Sequence, residues 1–83
     1  MLRERLARMI SEAGDGEISA AEILADGGSL TALGLTSLAA LRLIDAIETE
    51  LGVEVDIDAD PEALESLDGL TAHVAGRLTR SPR

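Results

Sequence analysis

Leu33-Gly34-Leu35-Thr36-Ser37-Leu38 decides how this 83-residue chain folds. Gly34 breaks the segment before it, Thr36 and Ser37 are both able to cap, and an apolar pattern then runs from Leu38 to Leu51. The pattern predicts a helix from about Ser37 to Leu51, ended by Gly52. The Ser37 hydroxyl is therefore expected at the mouth of a helix, where free N–H groups and the positive end of the dipole suit an attached phosphate. At 100° steps, Ala40, Leu43, Ile44, Ile47 and Leu51 fall within about 100° of arc and are expected in the core. Leu38, Leu41, Asp45 and Glu48 lie on a neighbouring face. Two leucines there exceed what the core stripe needs. Either the core wraps around to cover them, or they form a docking patch that is apolar at its centre and acidic at its rim.

Towards the N-terminus, Leu2, Leu6, Met9, Ile10 and Ala13 fall at i, i+4, i+7, i+8 and i+11, which is one face of a first helix. Gly14-Asp15-Gly16 stops it. A long connection from Asp15 to Thr36 follows, with Ile18, Ile23, Leu24, Leu30, Leu33 and Leu35 as anchors. Within it Ser19-Ala20-Ala21-Glu22 matches a capping box, which predicts a short helical turn over about Ala20 to Ala25, ended by Asp26-Gly27-Gly28.

Towards the C-terminus, Val53-Glu54-Val55-Asp56-Ile57-Asp58 alternates like a strand. The chain offers no second alternating run to pair with it, so an extended connector is expected, with Val53, Val55 and Ile57 turned inward. Asp60-Pro61-Glu62 starts a short third helix, about Pro61 to Glu65, with Asp60 as its cap. Ser66-Leu67-Asp68-Gly69 opens a fourth, whose apolar stripe is Leu70, Val74 and Leu78. Residues from about 79 to 83 read as a frayed polar tail. The fold class expected is all-α, a four-helix bundle with a long first loop and a short third helix, and residues 1–83 form one domain.

Composition narrows the chemistry. Phe, Trp and Tyr are absent, so the core is aliphatic and nucleic-acid bases have no stacking platform. The net charge of −9 opposes binding to nucleic acid or an anionic membrane and favours basic partner surfaces. Without cysteine there is no disulfide and no polypeptide thiol. No signal peptide or membrane-spanning run is present in this sequence, and the cytoplasm is the default location. Asp56-x-Asp58-x-Asp60 resembles the start of a calcium loop, but Pro61 and Leu67 stand where that loop needs Gly and Glu, so no metal is expected. The sole histidine, His73, has no ligand partner nearby in sequence. Gly34-Leu35-Thr36-Ser37-Leu38 is not a nucleophile elbow, and no catalytic residue is expected.

The hexapeptide, the acidic helix after it, the small size and the lack of cysteine together resemble the carrier-protein signature, Leu-Gly-x-[Asp or Thr]-Ser-Leu. The resemblance, to the acyl and peptidyl carrier proteins, covers about Leu2 to Leu78. It implies that Ser37 bears 4′-phosphopantetheine taken from coenzyme A by a phosphopantetheinyl transferase, and that acyl or aminoacyl groups ride on the arm as thioesters. It implies Leu38, Leu41, Asp45 and Glu48 as partner-docking residues. Implied partners are an acyltransferase, adenylating enzyme or ligase that loads the carrier, and a ketosynthase or condensation enzyme that unloads it. The carrier itself is expected to be a monomer and not an enzyme. Thr36 stands where many acyl carriers have Asp and many peptidyl carriers have His, and Arg42 places a positive charge on a face that is usually acidic. These departures point to a specialised carrier of polyketide or nonribosomal peptide biosynthesis, and the short ends to a freestanding one. The alternative reading is a small acidic interaction module in which Ser37 is only a helix N-cap.

Overall fold

Each amphipathic run closes into a helix because its apolar stripe finds another stripe to cover it. The computed structural model describes residues 1–16, 18–26, 29–56 and 61–80. In chain order these form α1 (Leu2–Ala13), α2 (Ala20–Asp26), α3 (Leu30–Leu33), α4 (Ser37–Leu51), a 3-10 helix (Pro61–Leu64) and α5 (Leu67–Arg80). Helices α1, α4 and α5 with the 3-10 helix are the expected all-α four-helix bundle with its short third helix. The long first loop carries α2 and α3.

Leu6, Ala7, Met9 and Ile10 of α1 are buried, and this face packs against α2, α4 and α5. Burying such aliphatic side chains contributes about 1.5–3 kcal/mol each, which is the main source of stability here. The helix stops where Asp15 and Gly16 turn left-handed, at φ 60° and 78°. There the Gly16 N–H donates back to the Ser11 carbonyl at 2.8 Å. Helices α1 and α4 run antiparallel. Arg5 pairs with Glu50 at one end, 3.4 Å apart, and Asp15 pairs with Arg42 at the other, 3.5 Å apart. Arg3 also pairs with Asp68 of α5.

The capping box forms as expected at α2. The Glu22 N–H donates to Ser19 Oγ at 3.1 Å, and the Ser19 N–H donates to Glu22 Oε1 at 3.1 Å. Ile23 and Leu30 then anchor the loop in the core. The single turn α3, capped by Ser29 through the Ala32 N–H, goes beyond the sequence reading. The loop is also tied to the start of α5, since the Leu30 N–H donates to the Glu65 carbonyl at 2.8 Å and Ser29 bridges to Ser66. Ser66 caps α5, accepting from the Gly69 N–H at 2.9 Å.

Two core stripes differ from expectation. On α4 the buried residues are Ala39, Leu43 and Ile47, while Ala40, Ile44 and Leu51 are half-buried. The core line is thus rotated from Ala40 towards Ala39. On α5 Leu67, Leu70 and Val74 are buried, but Leu78 is 40% exposed. It lines a groove with Met1, Leu2, Arg5 and Leu51 at the end of the bundle farthest from Ser37, where no further element covers it among the described residues. Helix α5 continues through Arg80, and residues 81–83 lie outside the described residues.

Val53 and Val55 are buried in an extended connector, as expected, and no strand forms among the described residues. The expectations for Ile57, for Asp58 and for Asp60 as a cap lie outside the described residues.

Candidate functional site: the mouth of helix α4

The approach to α4 is set by the end of α3. Gly34 takes φ 110°, a left-handed geometry that side-chain-bearing residues rarely adopt. This lets the Leu35 N–H reach back to the Leu30 carbonyl at 3.0 Å, which closes α3 as a Schellman turn. Leu33 and Leu35 pack partly buried against the core and hold the turn down. The next residue, Thr36, is extended at φ −83° and ψ 168°.

Thr36 is the N-cap of α4. Its Oγ1 accepts from the Ala39 N–H at 3.1 Å, and its carbonyl accepts from the Ala40 N–H at 2.9 Å. Ser37 is therefore the first helical residue and not the cap, which corrects the reading of its hydroxyl as a plain N-cap. Sequence alone offered two adjacent capping residues. The structure divides their work: Thr36 satisfies the backbone, and the exposed Ser37 side chain has no hydrogen-bond partner among the described residues. The N–H groups of Ser37 and Leu38 precede the first intrahelical donor, the Ala40 N–H, and so have no intrahelical acceptor.

Outward from Ser37, α4 presents Leu38 and Leu41, which are 59% and 61% exposed. Asp45 and Glu48 are exposed further along the helix. The core does not wrap around to cover the two leucines. Ser37, Leu38, Leu41, Asp45 and Glu48 are thus all solvent-facing residues of one helix, spaced over three turns. Beside this face lies a shallow depression of about 130 Å³, lined by Thr36, Leu38, Ala39 and Arg42 of the α4 region and by Gly14 and Asp15 at the end of α1. Sequence reasoning singled out Arg42 as a departure but could not find its partner, because Asp15 is far away in the chain.

The arrangement offers an accessible hydroxyl at Ser37. His73 is half-buried in the middle of α5. Among the described residues no group of three or more His, Cys, Asp or Glu side chains is placed to hold a metal ion. No helix among them is long and apolar enough to cross a membrane. What the site suits is a phosphodiester. The hydroxyl can be esterified without loss of a structural hydrogen bond, and the helix start behind it favours negative charge.

Neither curated proteins nor solved structures provide a match to the chain. A family model described as phosphopantetheine attachment site matches residues 4–74, most of the chain, including the mouth of α4. Accessible serine, helix mouth and bundle agree with that match, and the chain belongs to the phosphopantetheine attachment family of acyl and peptidyl carrier type, whose members are carrier domains and not enzymes.

Proposed function

We propose that Ser37 is the attachment point of 4′-phosphopantetheine and that the chain serves as an acyl carrier protein in polyketide or nonribosomal peptide biosynthesis. The observation that carries the assignment is the division of labour at the mouth of α4. Thr36 caps the helix, so the Ser37 hydroxyl is exposed and free to be modified. A serine hydroxyl without a neighbouring base is a poor nucleophile, so a separate phosphopantetheinyl transferase must activate it and supply the arm from coenzyme A. When bound, the group supplies the thiol that the cysteine-free chain lacks and holds an acyl or aminoacyl group as a thioester.

The chain's own residues then do three things. Ser37, on a rigid helix, fixes the origin of the arm and so raises the effective concentration of its cargo at a docked partner. Leu38 and Leu41 offer an apolar contact to the loading enzyme and to the ketosynthase or condensation enzyme. Asp45, Glu48 and the overall charge of −9 steer basic partner surfaces while keeping contacts brief. Thr36 and Arg42 favour a specialised pathway carrier over a general fatty-acid carrier. The cytoplasm, where coenzyme A is available, is the compartment this function implies.

Incubation with coenzyme A and a broad-specificity phosphopantetheinyl transferase, followed by intact-protein mass spectrometry, tests the proposal. One phosphopantetheine should be gained by the native chain and none by Ser37→Ala. A folded native chain that stays unmodified beside an active transferase would favour an interaction module that works through the Leu38 and Leu41 face alone.

A further inference from the structure

All seven basic residues of this chain are arginines: Arg3, Arg5, Arg8, Arg42, Arg77, Arg80 and Arg83. Several act as ties between segments. Arg3 joins α1 to α5, Arg5 joins α1 to α4, and Arg77 donates to the Glu54 carbonyl of the connector at 3.1 Å. Arg42 ties α4 to the turn after α1 through Asp15. It is also the basic residue nearest in sequence to Ser37, about 7.5 Å further along the helix axis at 1.5 Å per residue. Its side chain lines the depression that adjoins Thr36 and Leu38, the residues on either side of Ser37.

A cation at this position would pair with Asp15 whether it were arginine or lysine. The two differ in reactivity. An arginine guanidinium stays charged and offers no free lone pair, whereas a fraction of any lysine is free amine, and that fraction grows as pH rises. An amine held beside an activated carbonyl attacks it. Nitrogen bonds to the carbonyl carbon, the carbon–sulfur bond breaks, and sulfur leaves as thiolate and takes up the proton that nitrogen sheds. The product is a dead amide on the carrier. The amine the structure does contain, at Met1, sits by Glu4 at the opposite end of α1 from the Asp15–Arg42 pair.

We propose that Arg42 is a non-nucleophilic cation about one and a half turns of α4 from the arm's anchor, in the depression lined by Thr36 and Leu38. It holds the turn after α1 against α4 and leaves a carbonyl carried from Ser37 with no neighbouring amine to acylate. This rests on Ser37 being the attachment point. Arginine, rather than positive charge alone, is then the requirement at position 42. Asp15, on an exposed left-handed turn, draws the guanidinium towards the end of α1.

The test uses the full chain, loaded directly with an acetylated arm from acetyl-coenzyme A by a broad-specificity transferase. Native chain, Arg42→Lys and Arg5→Lys are loaded, checked for equal mass gain and equal helicity, and held at about pH 9, where a lysine is partly free amine. Hydroxylamine then strips thioester-bound acetyl and leaves amides, which fragment spectra locate. Arg42→Lys should retain acetyl on residue 42, roughly tenfold above the total retained by the native chain, from the local concentration of a tethered carbonyl. Arg5→Lys, at the far end of the helix pair, should stay near the native level. Equal retention in Arg42→Lys and native chain would overturn the proposal, as would equal amide formation at residues 5 and 42. A failure to load shows as no mass gain before the high-pH step, and would overturn the Ser37 assignment on which the proposal rests.

Discussion

Replacing Thr36 by Ala removes the side-chain bond that caps α4, the Oγ1 contact with the Ala39 N–H at 3.1 Å. Loss of an N-cap costs about 1 kcal/mol, within a range of roughly 0.5–2. A domain of this size loses about 4–8 °C of melting temperature per kcal/mol, so Thr36→Ala should melt about 4–8 °C lower. Ser37→Ala should behave differently. Ser37 is an exposed first-turn residue whose hydroxyl holds nothing among the described residues, and alanine is the better helix former, so the change should stay within about 0.5 kcal/mol of zero. The assay is thermal unfolding by far-UV circular dichroism, since the chain contains no Phe, Trp or Tyr to report by fluorescence. Modification by transferase and coenzyme A is measured on the same samples. Thr36→Ala should be less stable yet still modified, and Ser37→Ala stable but unmodified. If Ser37→Ala lost as much stability as Thr36→Ala, the hydroxyl would be the cap, and the separation of cap from attachment point would be refuted.

Four further outcomes follow from the packing and the charge. Leu43 is completely buried, so Leu43→Ala should cost about 2–5 kcal/mol in denaturant unfolding, a large part of the stability of so small a domain. Leu41→Glu, two residues away but 61% exposed, should leave helicity and unfolding nearly unchanged while slowing transfer to a partner enzyme. If it unfolds the protein, Leu41 belongs to the core and the docking face is misplaced. Gly52 ends α4 at φ 68° with nothing within 4 Å of where a Cβ would stand, so Gly52→Ala should cost about 1 kcal/mol from backbone strain alone, measurable as a lower denaturation midpoint. Raising salt should slow loading by a basic transferase, and a rate independent of ionic strength would count against electrostatic steering by Asp45, Glu48 and their acidic surroundings.

What could be read from sequence was whatever has a period or a cap. The spacing of Leu2, Leu6, Met9, Ile10 and Ala13 located α1, and the Thr36-Ser37 pair with Gly52 bracketed α4, because a cap and a left-handed stop act locally. Ser19 and Glu22 marked α2 for the same reason. The turn α3 was illegible because four residues carry no period, and its Schellman end depends on a backbone reversal at Gly34. The rotation of the α4 core line from Ala40 to Ala39 was also hidden. Alanine weighs little in an apolar pattern, and which of two adjacent alanines turns inward is set by how α1 and α4 meet. Leu78 looked like a core residue by spacing, but burial depends on what covers the last turn of α5. At the site, the residue type and its place at a helix mouth were legible. The choice of Thr36 over Ser37 as cap, and the pairing of Arg42 with Asp15, required the third dimension.

The central claim is that the arm belongs on Ser37, and the most direct measurement is localisation of the modification within the native chain. After loading with coenzyme A and transferase, proteolysis and fragment spectra of the peptide spanning Leu33 to Leu38 should place the whole phosphopantetheine on Ser37 and leave Thr36 bare. Phosphopantetheine found on Thr36, or on any hydroxyl outside this stretch, would contradict the account.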